Sequence, residues 1–334
     1  MSATTTQLAN RLRKNEARLR AWRKREGVTC YRVYDRDIPE LPMQIDVFAG
    51  EDDVRAACVV AFAPRHGGGV AFDVVVADAA RAVAEVLSID PTRVFTQLRE
   101  RDRGGEVEAD DAASSVLELI VREGPARLLL KLGARRDPGL FLDHRTTRRL
   151  VAQEARGRSV LNLFAYTGSF SVQAALAGAS STTSVDLSLQ TTRWAEQNLG
   201  LNGLIDAQAP GRSAQPAHRV VRADVLAFLE AEEGQAAYDV VVVDPPSFSR
   251  SRRAQRDFDV GRDHIWLIGA ALRVCRAGGV VWFSTNLRNF VLGDVASLGA
   301  DVVVDDVTAR TQPPDFQRSP HRAFRVHRAD RSRA

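Results

Sequence analysis

Cysteine is scarce: Cys30, Cys58 and Cys275 are scattered through 334 residues, with no Cys-x-x-Cys pair. No disulfide framework follows from them, and free thiols fit a reducing compartment, so a cytoplasmic location is expected. His66, His144, His218, His264, His321 and His327 show no ligand spacing, so no metal is expected. No run approaches the roughly 18 apolar residues that cross a bilayer, and no membrane partner is expected. The first residues lack the apolar core of a secretory signal. Lysine is nearly missing too, confined to Lys14, Lys24 and Lys131, so almost every cation is Arg. Arg forks suit phosphates and base edges. A compositional preference for Arg explains the same count, and a net charge of +4 does not by itself argue for nucleic acid. An apolar fraction of 45% and a charged fraction of 26% are those of an ordinary globular chain. The length suggests two domains.

Residues 7–26 carry Leu8, Leu12, Leu19 and Trp22 on one helical face, interleaved with Arg11, Arg13, Lys14, Arg18, Arg20, Arg23, Lys24 and Arg25. The pattern predicts a basic helix that Gly27 stops. Strand-like runs follow near 28–35, 43–48 and 54–62, a helical run near 76–88, and further strands near 92–98, 115–121 and 126–132. Strands grouped around one helix predict a small α+β domain. A charged turn, Arg99-Glu100-Arg101-Asp102-Arg103, lies among them and suits either solvent or a phosphate backbone.

From about residue 139 the pattern changes to alternating strand and helix. Strands are expected near 159–164, 181–186, 218–222, 238–243, 279–284, 300–307 and 322–327. Helices are expected near 145–156, 169–178, 188–200, 224–231 and 256–276. This predicts an α/β fold with a doubly wound sheet, whose ligands lie at the carboxyl ends of the strands. Residues 206–217 read as an inserted loop.

Four places in that half carry chemistry. Gly168 closes the run Phe164-Ala165-Tyr166-Thr167-Gly168 where a strand turns into a helix, and a glycine there permits close backbone approach to a ligand. The turn is not the Gly-x-Gly-x-x-Gly of a dinucleotide site. Asp186 ends the next strand, where a carboxylate accepts ribose hydroxyls. As a strand-end residue in an open cleft it is expected to matter little for stability. Asp224 ends the third strand and either accepts from an adenine amine or caps the next helix. Asp244-Pro245-Pro246-Ser247-Phe248 ends a fourth. Its prolines fix a turn that aims Asp244 at one point, and Phe248 suits stacking on a planar base.

These stretches resemble the class I methyltransferases of 23S rRNA, most closely the RlmK type, which makes 7-methylguanosine. The likeness covers nearly the whole chain. It includes Asn10-Arg11-Leu12-Arg13-Lys14-Asn15, Cys30-Tyr31-Arg32-Val33-Tyr34-Asp35, Gly139-Leu140-Phe141-Leu142-Asp143-His144-Arg145, Trp194-Ala195-Glu196-Gln197-Asn198-Leu199 and Phe283-Ser284-Thr285-Asn286. It implies a class I sheet with an antiparallel last strand over 139–334, an α+β RNA-binding domain over 28–138, and a basic helix over 1–27. It implies S-adenosyl-L-methionine as cofactor. Asp143, Arg145, Asn162, Phe164, Tyr166, Thr167 and Asn198 are expected to join Gly168, Asp186 and Asp224 in holding it. The catalytic set is expected to be Asp244, Pro245, Pro246 and Phe248. The partner is expected to be 23S rRNA or its large-subunit precursor, bound by Arg11, Arg13, Lys14, Arg18, Lys24 and Arg25 together with Arg99, Arg101 and Arg103. Related enzymes carry this module as the C-terminal half of a longer fused protein, so a stand-alone version is expected here.

Guanine N7 has a lone pair and no proton, so its methylation needs no general base. A rival, cytosine-C5 methylation of the RlmI type, needs a thiolate, yet Phe283-Ser284-Thr285-Asn286 has no cysteine. Exocyclic-amine methylation remains open, since Asp244 does not decide it. A non-catalytic ribosome-assembly protein predicts damage at Gly168, Asp186, Asp224 or Asp244, and all four are intact.

Overall fold

The computed structural model describes residues 3–63, 69–99, 116–134, 137–205, 217–249 and 257–329. They divide into two compact units, Met1–Leu142 with Pro314–Gln317, and Asp143–Pro313 with Arg318–Ala334.

In the first unit, α1 (Ala3–Glu26) is followed by β1 (Tyr31–Asp35), β2 (Met43–Ala49), β3 (Arg55–Phe62), α2 (Gly69–Leu87), β4 (Val94–Arg99), β5 (Leu117–Glu123) and β6 (Ala126–Leu132). The sheet order is β1-β2-β3-β4. The first two pairings are antiparallel, and β3 runs parallel to β4, with α2 connecting them. A hairpin of β5 and β6 stands beside it, bridged to the sheet between Gly50 and Val121. The basic helix is no free arm. Leu8, Leu12, Leu19 and Trp22 enter one core with Tyr31, Ile45, Val59, Ala79 and Val83. Burying side chains of this size stabilises by about 1.5–3 kcal/mol each, so α1 is part of the unit's core. Asn15 adds a polar tie, donating to Val33 O and Asp37 Oδ2 at 2.8 Å each.

The second unit contains α3 (Arg145–Glu154), β7 (Ser159–Leu163), α4 (Ser169–Leu176), β8 (Ser181–Asp186), α5 (Leu189–Leu201), β9 (His218–Arg222), α6 (Val225–Ala231) and β10 (Tyr238–Val243). There follow β11 (Phe248–Ser249), β12 (Phe258–Asp259), α7 (Val260–Val274), β13 (Cys275–Thr285), β14 (Val302–Asp306), α8 (Thr308–Thr311) and β15 (Arg322–Arg328). The seven-stranded sheet has the order β14-β15-β13-β10-β7-β8-β9. β15 pairs antiparallel with both β13 and β14, and β13, β10, β7, β8 and β9 are mutually parallel. The antiparallel last strand agrees with the expectation.

Strand residues alternate between two apolar layers. Leu161, Leu163, Val241, Val243 and Phe283 pack with α6 and α7, while Val160, Val240, Val242 and Trp282 pack with α3 and α4. Both faces are covered, which is why these strands read as continuous apolar runs. The chain reverses its direction of winding between β7 and β10, so the crevice at their carboxyl ends is the topological switch point. Two boundaries in this unit differ from expectation by four residues. α7 starts only at Val260, because Asp259 caps it by accepting from Gly261 N at 2.8 Å. β13 begins at Cys275, running through the two glycines with a register shift against β10.

Candidate active site

The turn after β7 is built from unusual backbone. Phe164 and Tyr166 have φ of +53° and +50°, and Gly168 has +73°. Left-handed backbone at two side-chain-bearing residues costs of order 1–3 kcal/mol each and persists only where the surroundings over-determine it. Here they do. Ala165 N–H donates to Val185 O at 3.0 Å and Gly168 N–H to Ala165 O at 2.8 Å. Tyr166 N–H donates to Asp186 Oδ2 at 2.9 Å, and Asn198 Nδ2 donates to Thr167 O at 2.9 Å. Gly168 is required by its φ and by a neighbour, since an added Cβ would stand 3.0 Å from Ala195 Cβ. Packing of α4 against α5, beside the positive φ, is therefore the visible reason for this glycine.

Asn162 and Asn198, expected to touch the cofactor, are buried under the turn rather than exposed on it. Asn162 Nδ2 donates to Ser171 Oγ at 3.1 Å, and Ser171 meets Ser184 Oγ at 2.6 Å. This polar chain links β7, α4 and β8 beneath the site. Thr167 is buried as well, while Phe164, Tyr166 and Arg145 are partly exposed. The rings of Phe164 and Phe258 lie 5.8 Å apart, and those of Tyr166 and Trp194 lie 6.1 Å apart.

Asp186 is more heavily engaged than a strand-end carboxylate in an open cleft. Besides Tyr166 N–H on Oδ2, its Oδ1 accepts from Ser188 N at 2.9 Å and Thr191 Oγ1 at 2.8 Å. Asp224 is the N-cap of α6, with Oδ1 accepting from Leu226 N at 2.9 Å and Ala227 N at 3.1 Å. Capping uses one oxygen and leaves the other for a ligand, so the two readings of Asp224 coexist. Both carboxylates stand at the ends of adjacent strands.

Across the switch point, the Asp244-Pro245-Pro246-Ser247 turn is tied to the end of β13. Ser284 Oγ donates to Asp244 Oδ1 at 2.6 Å, and Ser247 Oγ donates to Asn286 Oδ1 at 2.8 Å. Pro245 is buried, Pro246 is exposed, and Phe248 keeps 41% of its surface exposed.

The sequence reading missed a histidine pair. His144 and His321 are both buried, with rings stacked at 4.3 Å and 14°. His144 Nε2 lies 3.4 Å from Asp244 Oδ2 and 3.8 Å from Asp143 Oδ2. His321 Nδ1 lies 3.3 Å from Asp143 Oδ2, and Nε2 lies 3.1 Å from Thr311 Oγ1. Thr311 donates its own proton to Thr308 O, so its oxygen accepts from His321. His144 occupies the cap position of α3, and Asp143, expected to hold the cofactor, meets His321. The only available signal was the Leu142-Asp143-His144-Arg145 stretch; His321 lies 178 residues from Asp143. Asp143, His144 and His321 offer ligand atoms within 4.8 Å of one another.

Of the cations expected to meet RNA, Arg13, Lys14, Arg18, Lys24 and Arg25 are exposed on α1. Arg11 is half-buried 3.8 Å from Asp37 Oδ2, and Arg99 ends β4, paired with Asp137 at 3.3 Å. Arg101 and Arg103 lie outside the described residues. Arg20, Arg23 and Lys24 line a shallow hollow with Glu16, Gly27, Val28 and Thr29. Arg23 is committed there, 2.9 Å from Glu16 Oε2 and with its guanidinium 3.6 Å above the Tyr31 ring.

Two carboxylates at consecutive strand ends and a rigid turn beside them fit an adenosyl ligand: the acceptor set suits the hydroxyls of a ribose diol and an exocyclic amine. Cys275 lies at the opposite edge, at the start of β13, and burial pushes its thiol up to about 12. Burial pushes Cys58 up as well.

A family model described as S-adenosylmethionine-dependent methyltransferase matches residues 93–279. A relative from Pseudomonas syringae pv. tomato, named ribosomal RNA large subunit methyltransferase K/L, is 42% identical over 95% of this chain and 40% of its own. Another of that name, from Shewanella loihica, is 36% identical over 96% of this chain and 43% of its own. The chain thus spans about two fifths of the length of these relatives. Among solved structures, SMU.776 complexed with SAH aligns at a TM-score of 0.73 and 22% identity, covering 98% of this chain and 82% of that one. Trm5b from Pyrococcus abyssi aligns at 0.52 and 17%, covering 82% and 73%. Both likenesses concern the fold.

Proposed function

This chain belongs to the S-adenosylmethionine-dependent methyltransferases, and from that premise we propose that it methylates a guanine at N7 in 23S ribosomal RNA or its large-subunit precursor, in the cytoplasm. The observation that carries the reading is the Asp244-Pro245-Pro246-Ser247-Phe248 turn, with a fixed carboxylate and an exposed aromatic ring at the switch point of the sheet. The names of the relatives support ribosomal RNA as the substrate class.

When bound, the cofactor supplies an electrophilic methyl on sulfur. Asp186, through the remaining lone pair of Oδ2, accepts a ribose hydroxyl, and Asp224 Oδ2 accepts from the adenine amine. The turn of Phe164–Gly168 is rigid before any ligand arrives, so positioning costs little at the moment of reaction. Phe248 stacks on the target ring. Asp244 accepts from the guanine N1–H and amine, and its charge offsets the positive charge that the purine acquires. No side chain takes a proton from N7, which has none. N7 of helical RNA lies in a deep groove, so the target must be opened or flipped. The exposed cations Arg13, Lys14, Arg18, Lys24 and Arg25 bind phosphates in this reading.

Cytosine-C5 methylation requires a thiolate at the strand ends, and Cys275 stands at the wrong edge of this sheet with its proton firmly held. Mass-spectrometric mapping of ribosomal RNA from cells lacking the protein tests the proposal. Loss of one 7-methylguanosine supports it. An unchanged 7-methylguanosine set with loss of an N2-methylguanosine or a 5-methylcytidine overturns it.

A further inference from the structure

We propose that His144 is a positioning residue for methyl transfer: its neutral ring presents Nε2–H to Asp244 and, with Ser284, fixes that carboxylate toward the target base. The inference rests on the reading of Asp244 as the group that faces the base.

Three observations carry it. Asp244 is approached from two sides, by Ser284 Oγ on Oδ1 at 2.6 Å and by His144 Nε2 on Oδ2 at 3.4 Å. The second is a close approach rather than a formed hydrogen bond, and catalytic hydrogen bonds often tighten only when substrate binds. Next, the ring of His144 has little freedom. It stacks on His321 at 4.3 Å and meets Phe170 at 5.8 Å, and the residue is 4% exposed. Finally, Nδ1 of His144 is buried and has no hydrogen-bond partner. A proton on Nδ1 would be a buried donor stripped of its hydration and left unpaired. A proton on Nε2 faces two carboxylates instead. The neutral Nε2–H tautomer is therefore the one this pocket accommodates.

The charges around the ring act in the same sense. Burial holds the imidazole below its ordinary value of 6.5 and outweighs the attraction of Asp244 and Asp143; His321 and Arg148 press the same way as burial. Arg148 is itself 1% exposed, on the next turn of α3. A neutral donor suits the task, because it orients Asp244 without cancelling the negative charge that the reaction needs. His144 passes no proton in this scheme.

The test separates the donor from the ring. H144F keeps an aromatic plane on His321 and removes the donor; H144Q places an amide N–H near the former Nε2. With unmodified 23S rRNA transcript and tritiated methyl donor, H144F is expected to lower kcat at least tenfold. Dissociation constants for S-adenosylhomocysteine and for the transcript should stay within twofold, and H144Q should recover most of kcat. An H144F kcat within twofold of wild type overturns the proposal, as does an equal loss in H144F and H144Q. Should H144F fail to fold, S284A removes the other hold on Asp244, and an unchanged kcat there overturns it. Nitrogen-15 NMR of the His144 ring gives a readout that needs no RNA activity. The neutral Nε2–H form is expected, with a shift that responds to D244N; an Nδ1–H form, or no response, overturns the assignment. A wild-type protein silent on the transcript but with the expected ring signals would count against the RNA reading alone.

Discussion

The backbone amide of Tyr166 donates to Asp186 Oδ2 at 2.9 Å, joining a left-handed turn after β7 to the end of β8 across 20 residues of sequence. One carboxylate therefore supports the turn, and in the proposed reading it also holds the ribose. Strand ends of this kind combine support and binding because the turn that must be rigid lies beside the residue that must be exposed.

Asp186→Ala should accordingly impair two properties. Three donors lose their acceptor; hydrogen bonds to charged groups are worth about 1.5–3 kcal/mol each, and water entering the partly exposed site replaces a good part of that, so a stability loss of roughly 2–4 kcal/mol is expected by urea denaturation. Affinity for S-adenosylhomocysteine should fall at least tenfold by calorimetry. Stability within about 0.5 kcal/mol of wild type, the range usual for surface substitutions, contradicts the supporting role.

Gly168→Ala should destabilise through both its φ of +73° and the Ala195 Cβ at 3.0 Å. Left-handed backbone costs about 1–2 kcal/mol for a side-chain-bearing residue, and overpacking adds of order 1 kcal/mol. The double variant with Ala195→Gly should recover the packing part only. Full recovery would leave the backbone conformation without a cost and refute the account.

All three cysteines can be replaced. Changing Cys30, Cys58 and Cys275 to Ser together should leave methyl transfer within about threefold, since a substrate lone pair needs no enzyme nucleophile. A covalent adduct with 5-fluorocytosine RNA that disappears in Cys275→Ser would falsify the guanine reading.

Removing α1 should unfold the first unit, because Leu12 and Leu19 are buried in its core. RNA binding is better probed by changing Arg13, Lys14, Arg18, Lys24 and Arg25 to Gln. Each cation–phosphate pair removed in this way should reduce the salt slope of log K by about 0.7–0.9, with cofactor affinity unchanged. An unaltered slope in the fivefold variant assigns these cations to solvent.

Acid stability should report on His144. Its folded value lies below the ordinary 6.5, so between the two values the unfolded chain binds more protons than the native one. Stability then falls as pH drops below about 6.5, at up to about 1.4 kcal/mol per pH unit for one such group. His218 is lowered in the same direction, by burial. The difference between wild type and His144→Phe isolates the former: the variant's stability should decline less steeply from about pH 6.5 downward. Parallel curves would show that His144 takes up its proton in the native state.

Local chemistry made part of this protein legible in one dimension. The apolar run before Asp244, residues 240–243, is a strand buried on both faces, and such a strand needs no partner information to be recognised. Turn chemistry placed Gly168 and the prolines for the same reason. The face of α1 bearing Leu8, Leu12, Leu19 and Trp22 was visible from helical spacing, and it is the buried face. Spacing said nothing of how firmly that face is held, since this depends on strands and a helix that arrive later in the chain.

The sequence by itself determined the alternation of strand and helix and the acidic residues at the strand ends, because each follows from periodicity and turn propensity over a few residues; the antiparallel last strand was expected only from the family resemblance. Tertiary structure alone decided that Asn162 and Asn198 lie beneath the turn after β7, that Asp186 accepts from Tyr166 N–H, and that His321 meets Asp143 across 178 residues to stack on His144. Those relations depend on which strand ends become neighbours when the sheet reverses its winding between β7 and β10. No local pattern encodes them, because the energy that fixes them is the burial and hydrogen bonding of groups brought together only by the closed fold.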